Sequence, residues 1–257
     1  MSFDTHPPRA LALRAGAFAN KTWRAPADLR FVHSLSEVEI GANEAGRVGR
    51  SYGWYFRQDE TGWALVVGLT DALRQRMCRL TRAESALGLP FLLRMYPFTF
   101  VRQGGRRCLA VWDTGVGQAT EKGQRFFEGE RLAAPVAQVS AHFQSFAADL
   151  ALAARLAEAL AAAGLLVPAA SGGFGYYEVN EAKLMSLPEP TIIDLHKTGA
   201  LGLAYAQLFS SHSQALARSQ EAQAAPSGRG LQSDGFLDSI ARDLETDMPA
   251  LDIGFEG

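Results

Sequence analysis

The chain has 257 residues, of which 47% are hydrophobic, and a formal net charge of -2. This length allows one large domain or two small ones, and the ordinary apolar fraction predicts a well-filled core. A nearly balanced charge without a domain-sized basic stretch argues against a nucleic-acid-binding surface. No segment approaches the length of a membrane span, and the N-terminal apolar stretch is too broken for a signal peptide. A soluble cytoplasmic protein is therefore expected.

The two cysteines, Cys78 and Cys108, are far apart in the chain and belong to no close-spaced framework. This usage fits a reducing compartment, where cysteine behaves as a small apolar residue. A disulfide between them is not indicated.

The first half of the chain is predicted to contain a small antiparallel sheet. Residues 1–27 show no clear period and are interpreted as a loosely attached N-terminal arm. Residues 31–112 contain short runs of aromatic and β-branched residues separated by Gly, Asp and Asn, a pattern typical of strands. Within this region, residues 70–96 are expected to be partly helical.

Two hairpins are predicted in this half. The first pairs residues 52–57 with residues 63–69. The second pairs residues 98–102 with residues 107–112 across Gly104 and Gly105, because glycine adopts the positive φ that tight hairpin turns require.

The second half is predicted to be helical. The alanine-rich run over residues 138–166 forms one helix, followed by a short strand over Tyr176–Val179. A second long helix is predicted from about Thr191 to Ala217, entered after two prolines. One stripe of that helix carries Leu201, Tyr205, Leu208 and His212.

The end of the chain has a different composition. Residues 219–235 are rich in Gln, Ala, Ser, Gly and Pro and are interpreted as a linker. Residues 236–257 form an acidic amphipathic tail that either docks on a partner or folds back on its own domain. Its apolar anchors are Phe236, Leu237, Ile240, Leu251, Ile253 and Phe255. The whole pattern predicts an α+β protein: a mixed N-terminal half with antiparallel hairpins, a helical C-terminal half and a flexible acidic C-terminal tail.

Motifs for catalysis are scarce. Asp113, Thr114 and Gly115 match the Asp-Thr-Gly signature of aspartic proteases, but only one copy exists, and a turn at the end of a hairpin explains it equally. The sequence contains no Gly-x-Ser-x-Gly, His-Glu-x-x-His or Cys-x-x-Cys motif. No metal site and no cofactor are therefore predicted.

Three polar residues near residue 190 are the acid–base candidates. Glu178 and Glu181 lie at a predicted strand-to-helix junction, where helix capping also explains them. His196 lies in the second predicted helix, where it could act in acid–base chemistry or simply bond a backbone group.

Aromatic residues crowd the first hairpin, including Trp54 and Trp63. They either line a ligand groove or fill the core between sheet and helix.

Two segments resemble one bacterial family. Residues 90–101, PFLLRMYPFTFV, are similar to a Pro-x-Phe-Leu-Arg-Arg-Tyr-Pro-Phe segment. Residues 177–208 resemble a Tyr-x-Val-x-Glu-x-Lys-Leu segment followed by Leu-His-x-x-Gly-Ala-Leu and a Tyr-Ala-x-Leu run. Both segments are typical of the SapC-like proteins, and the resemblance covers roughly residues 28–218, which we interpret as a SapC-like domain.

The resemblance implies a context rather than a mechanism. SapC-like proteins tend to be encoded near TonB-dependent receptors, tryptophan-halogenase-like proteins and cupin-like proteins. This implies a cytoplasmic, non-catalytic accessory protein of an uptake or peptide-modification system.

We expect it to engage a protein or peptide partner, with homo-oligomerisation left open. The binding surface would be either the tail or the region around Leu195, Gly199 and Tyr205. The alternative is an enzyme acting on a peptide or small molecule, with His196 and Glu178 or Glu181 as its acid–base residues.

Overall fold

The computed structural model describes residues 9–26, 28–80, 88–118, 123–170 and 175–224, with side chains as far as residue 212. The strands are β1 (Ala10–Ala12), β2 (Lys21–Trp23), β3 (Glu37–Ile40), β4 (Tyr55–Asp59), β5 (Gly62–Gly68), β6 (Phe98–Gln103), β7 (Arg106–Trp112), β8 (Val116–Gln118), β9 (Gln124–Arg125), β10 (Phe127–Glu128), β11 (Arg131–Leu132), β12 (Leu166–Pro168) and β13 (Tyr176–Val179). The α-helices are α1 (Ala15–Phe18), α2 (Ala42–Gly49), α3 (Asp71–Cys78), α4 (Phe91–Arg94), α5 (Ala134–Ala162), α6 (Glu181–Met185), α7 (Glu189–Thr198) and α8 (Ala200–Ala224).

The main sheet has five strands in the order β12-β13-β4-β5-β3, and every neighbouring pair is antiparallel. Its inner face carries side chains that are completely buried, such as Ile40, Phe56 and Leu65. Alternate residues on each strand point to the opposite face, because side chains of a strand alternate between its two sides. The mixture of helices and antiparallel strands confirms the predicted α+β class.

Both predicted hairpins are confirmed. Strand β4 pairs with β5, and β6 pairs with β7 in register from Phe98 opposite Val111 to Gln103 opposite Arg106. Gly104 and Gly105 form the turn of the second hairpin with φ angles of 55° and 78°. Only glycine adopts such angles without steric cost, which fixes the turn at this dipeptide.

Residues of the predicted N-terminal arm add strands to two small sheets. Strand β1 pairs with β7, giving the order β1-β7-β6, and β2 lies between β8 and β9. Phe18 is buried and packs edge-on against Phe126.

Helix α5 connects two hydrophobic cores. Its N-terminal half buries Val136 and Phe143 in a smaller core with the β6–β7 hairpin, while its C-terminal half buries Ala157 and Leu160 in the main core. The helix begins four residues before the predicted start because Pro135 occupies its first turn, where a missing N–H has no cost.

The long helix predicted from Thr191 to Ala217 is wrong, because the structure contains two helices. Helix α7 ends at Thr198, and α8 begins at Ala200. Gly199 between them has a φ of 86°, the left-handed conformation that ends helices at glycine. The region predicted as a linker also begins later, since α8 continues to Ala224.

Candidate functional site

No hydrogen bond or ion pair joins the three acid–base candidates to one another in the part of the chain that the structure describes. The side chain of His196 is exposed and forms no hydrogen bond or ion pair with the described residues. Glu178 is half-buried in β13 and accepts a 3.4 Å hydrogen bond from the backbone N–H of Ala170. Glu181 is exposed in the first turn of α6, where a negative charge stabilises the helix N-terminus.

Glu181 does have a histidine partner, but it is His212 rather than His196. The His212 Nε2 atom lies 3.6 Å from Glu181 Oε2, and both side chains are more than half exposed. Such surface pairs contribute little stability and lack the desolvation that tunes catalytic groups. We interpret the pair as a surface contact between α8 and α6.

The Asp-Thr-Gly sequence has a structural role at the end of the second hairpin. The Asp113 Oδ1 atom accepts hydrogen bonds from the backbone N–H groups of Thr114, at 2.8 Å, and Arg9, at 3.1 Å. The Thr114 hydroxyl contacts the hydroxyl of Tyr96. A Cβ on Gly115 would stand 2.1 Å from Pro97 Cβ, so glycine is required by packing.

The cysteines and histidines do not form a metal site within the described residues. Cys78 Sγ lies 3.5 Å from His33 Nε2. Burial raises the pKa of the Cys78 thiol, and the Asp28 carboxylate acts in the same direction. This thiol therefore lacks the lowered pKa of a reactive cysteine.

The aromatic residues of the first hairpin divide between core and surface. Trp54 is completely buried and packs edge-on against Phe56, so it belongs to the main core. Trp63 is half-buried and packs edge-on against Tyr177 of β13. Leu195 is buried in the main core as well, whereas Gly199 and Tyr205 are exposed.

The predicted tail lies outside the described residues. This applies to all of its anchors: Phe236, Leu237, Ile240, Leu251, Ile253 and Phe255.

A charged network that sequence reasoning missed covers the outer face of the main sheet. Glu37 and Glu39 point to this face because Val38 and Ile40, which alternate with them, are buried. Arg57 of β4 forms ion pairs with both carboxylates, and Arg107 of β7 forms an ion pair with Glu39. The network thus connects the main sheet to the β6–β7 hairpin. The alternation Glu-Val-Glu-Ile was the available signal, but the partners depend on strand register.

Tyr176 completes this network from β13. Its ring stacks on Tyr55 at 5.4 Å, and its hydroxyl donates a 2.8 Å hydrogen bond to Glu37. The ring lies against Gly68, at van der Waals distance from the position that a Cβ would occupy there. Burial raises the pKa of Tyr176, so the hydroxyl remains a donor at neutral pH. All four carboxylate oxygens of Glu37 and Glu39 have partners. We therefore interpret the network as structural, holding the main sheet and the β6–β7 hairpin together.

A buried carboxylate holds the first SapC-like segment in place. Glu44 of α2 is only 8% exposed and accepts a 2.9 Å hydrogen bond from the backbone N–H of Phe91. Arg47 forms an ion pair with Glu44 and donates to the Leu89 carbonyl. Burial raises the pKa of Glu44, although the bonds from Phe91 and Gly41 act in the opposite direction. This carboxylate anchors the loop that leads into α4.

A groove of about 680 Å³ lies where the C-terminal end of α5 meets α6 and α7. Three alanines line it on the α5 side, which keeps the groove open because their side chains are small. Lys183 of α6 and Asp194 of α7 add one charge of each sign. Neither side chain forms an ion pair with another described residue. The remaining lining residues include Ser186, Leu187, Pro188, Thr191, Leu195 and Thr198.

Helix α7, which lines this groove, is weakly anchored. Its one buried residue is Leu195, while Ile192 and Ile193 are 36% and 43% exposed. Among the described residues, the exposed large apolar side chains all lie in α6, α7 and α8; the others are Met185, Tyr205 and Phe209. Contiguous exposed apolar side chains mark interaction surfaces, and Ile192 and Ile193 are neighbours on α7.

Helix α8 is connected to the main sheet by a buried amide that the sequence did not reveal. Gln207 is completely buried, and its Oε1 atom accepts a 3.1 Å hydrogen bond from the backbone N–H of Val179. Its Nε2 group donates to the Ser211 hydroxyl at 2.8 Å. The amide thereby fixes the end of β13 against α8.

The sequence model of the SapC family matches residues 13–216. The chain belongs to the SapC family. No curated protein and no solved structure matches the chain. The match begins earlier than the predicted boundary at residue 28, in agreement with the pairing of β2 to β8 and β9.

The SapC-like segment at residues 177–208 contains both core and surface positions. Val179, Leu184, Leu195 and Ala200 are buried and secure the helices on the sheet. Among the positions that match the SapC-like pattern, the exposed ones are Glu181, Lys183, His196, Gly199 and Tyr205. The segment therefore builds the groove and also supplies polar groups at the surface. No described helix of this SapC protein is both long and apolar enough to cross a membrane.

Proposed function

We propose that this SapC-family protein is a cytoplasmic, non-catalytic accessory protein that binds a partner protein or peptide in the groove between α5, α6 and α7. The observation that supports this proposal is the exposure of α7. This helix has a single buried side chain and lines an open groove with Thr191, Asp194 and Thr198. Its exposed Ile192 and Ile193 do not line the groove and would be covered by a partner that extends beyond it. Burying such apolar surface against a partner contributes about 25 cal/mol per Å².

The lining of the groove favours a peptide segment. Alanines and the apolar side chains of Leu187 and Leu195 would contact apolar groups of the ligand. Lys183 and Asp194 would pair with an acidic and a basic group, and such charges fix orientation and specificity more than affinity. An accessory protein of an uptake or peptide-modification system would use a surface of this kind.

The enzyme hypothesis has less support. His196 is exposed and has no polar partner among the described residues, while Glu181 contacts His212 in an open surface pair. A general base must lie within hydrogen-bond reach of the proton that it removes and needs a pKa suited to that task. This hypothesis remains a prediction, and the experiment below distinguishes it from binding.

The test fills the groove. Ala162 is exposed in the last turn of α5 and lines the groove, so Ala162→Trp obstructs it without disturbing the core. Ala151→Trp is the matched control, because Ala151 is an exposed alanine of the same helix outside the groove. Each tagged full-length protein is isolated gently from its own host's lysate and analysed by native mass spectrometry.

We expect a stoichiometric protein or peptide to accompany the wild type and the control but not Ala162→Trp. Equal recovery with all three proteins would refute the groove as the binding site. A stoichiometric small molecule in place of a protein or peptide would instead favour the enzyme hypothesis. Deleting residues 235–257 tests the tail separately: weaker recovery means that the tail contributes to binding, and unchanged recovery rejects that role.

A further inference from the structure

Helix α8 carries an exposed stripe that is separate from the groove. Gly202, Tyr205, Phe209 and His212 follow the spacing 3, 4, 3 and are all exposed. Tyr205 is 41% exposed and Phe209 is 68% exposed. Residues at this spacing lie on one face of a helix and match the seam positions of packed helix pairs. We call these four residues the α8 stripe.

The same helix carries no Asp, Glu, Lys or Arg from Ala200 to Ala217. A surface helix normally has charged residues on the face that meets water. The buried polar residues of α8 within the part whose side chains are described, Gln207 and Ser210, already have partners inside the protein. The α8 stripe thus has the composition of a helix face that is covered by another element.

We propose that the α8 stripe is covered by the α8 stripe of a second copy of this chain, giving a two-fold symmetric dimer. In such a dimer each surface meets itself, so a charged face would place like charges opposite each other. The stripe avoids this repulsion because it contains no Asp, Glu, Lys or Arg, and its histidine, His212, already has Glu181 beside it in the same chain.

Gly202 and the aromatic residues fit helix–helix packing. A Cβ at Gly202 would have no atom within 4 Å, so the backbone at this position is open to close approach. Small residues at a helix crossing let two backbones approach, and Tyr205 and Phe209 supply the apolar area beside it. This dimer does not depend on the groove, because none of the four stripe residues lines it.

The test measures the dimer dissociation constant of the full-length protein by light scattering across a wide dilution series. Phe209→Glu places a charge opposite its symmetry mate, and Gly202→Arg blocks the close approach. Gln144→Glu is the control, because Gln144 is exposed but lies in α5, next to Phe143 of the smaller core. We expect both stripe variants to raise the dissociation constant at least about tenfold, which corresponds to about 1.4 kcal/mol. The control should leave it unchanged.

All three substitutions are at exposed positions, so circular dichroism spectra should match the wild type. A wild type that is monomeric at every concentration overturns the proposal. A dimer that neither stripe variant weakens, or that Gln144→Glu weakens equally, overturns it as well. A monomeric wild type that dimerises after deletion of residues 225–257 would assign the stripe to the chain's own tail instead.

Discussion

The buried Gln207 amide provides the sharpest test of how the helical half is attached to the sheet. Its Oε1 atom is the acceptor for the backbone N–H of Val179, which is itself 5% exposed. We consider two substitutions, Gln207→Leu and Gln207→Ala. Leucine keeps most of the side-chain volume and removes the acceptor, whereas alanine removes both.

The expected magnitudes differ between the two variants. A buried N–H that loses its acceptor costs about 1–3 kcal/mol, so Gln207→Leu should lower the free energy of unfolding by about 2 kcal/mol. Gln207→Ala should cost about 1–2 kcal/mol more, because it also leaves a cavity. For a unit of this size, a loss of 1 kcal/mol lowers the melting temperature by about 2–4 °C.

The assay combines urea denaturation with hydrogen exchange at the Val179 amide. Exchange of this amide should accelerate in both variants, since its hydrogen bond is lost. Gln144→Ala, an exposed glutamine on α5, should change the free energy of unfolding by less than about 0.5 kcal/mol. If Gln207→Leu were as stable as the wild type, with unchanged exchange at Val179, the amide would not hold β13 against α8.

Three further predictions concern single sites. Gly115→Ala should lower the free energy of unfolding by about 1–3 kcal/mol, because its Cβ would meet Pro97. Gly46→Ala should raise the free energy of unfolding by about 0.5–1 kcal/mol, because Gly46 lies on α2 with open space around it. Denaturation of both variants measures these two changes. Because burial raises the folded pKa of Glu44, the stability it contributes is present below its usual pKa of 4.5 and is lost as pH rises through the folded pKa. The free energy of unfolding of the wild type, relative to that of Glu44→Gln, should therefore fall as the pH rises from 4.5 through the folded pKa of Glu44. A rise would contradict the assignment. His196→Gln should leave the melting temperature within about 2 °C, since the side chain is exposed and has no polar partner among the described residues; a larger loss would show a structural role.

The elements that the sequence predicted well are those governed by local chemistry. The β6–β7 hairpin follows from the two glycines at its turn, and α5 follows from its alanine-rich run, although its start at Ala134 was missed. Both signals act over a few residues and do not depend on the rest of the fold.

The elements that sequence reasoning missed depend on contacts between distant segments. Arg57 meets Glu37 and Glu39 only because β4, β5 and β3 pair in one register, and no local pattern specifies that register. The break at Gly199 is different, because its signals were present. His196 and Lys197 occupy the last turn of α7, where cations are favoured, and glycine follows directly. These residues mark a helix end. It was missed because the helical spacing of apolar residues continues into α8, which favoured a single long helix.

That break determines what the C-terminal half can do. A continuous helix would have placed Leu195 and Leu208 along one axis, with a single buried face for the whole segment. With Gly199 in the left-handed conformation, α7 and α8 each bury a face of their own. Helix α7 buries Leu195 in the main core and lines the groove with Asp194. Helix α8 binds the main sheet through the Gln207 amide and exposes Tyr205 at the surface. One glycine therefore gives this segment two exposed surfaces on different helices, the groove proposed for a partner and the α8 stripe proposed for a second copy.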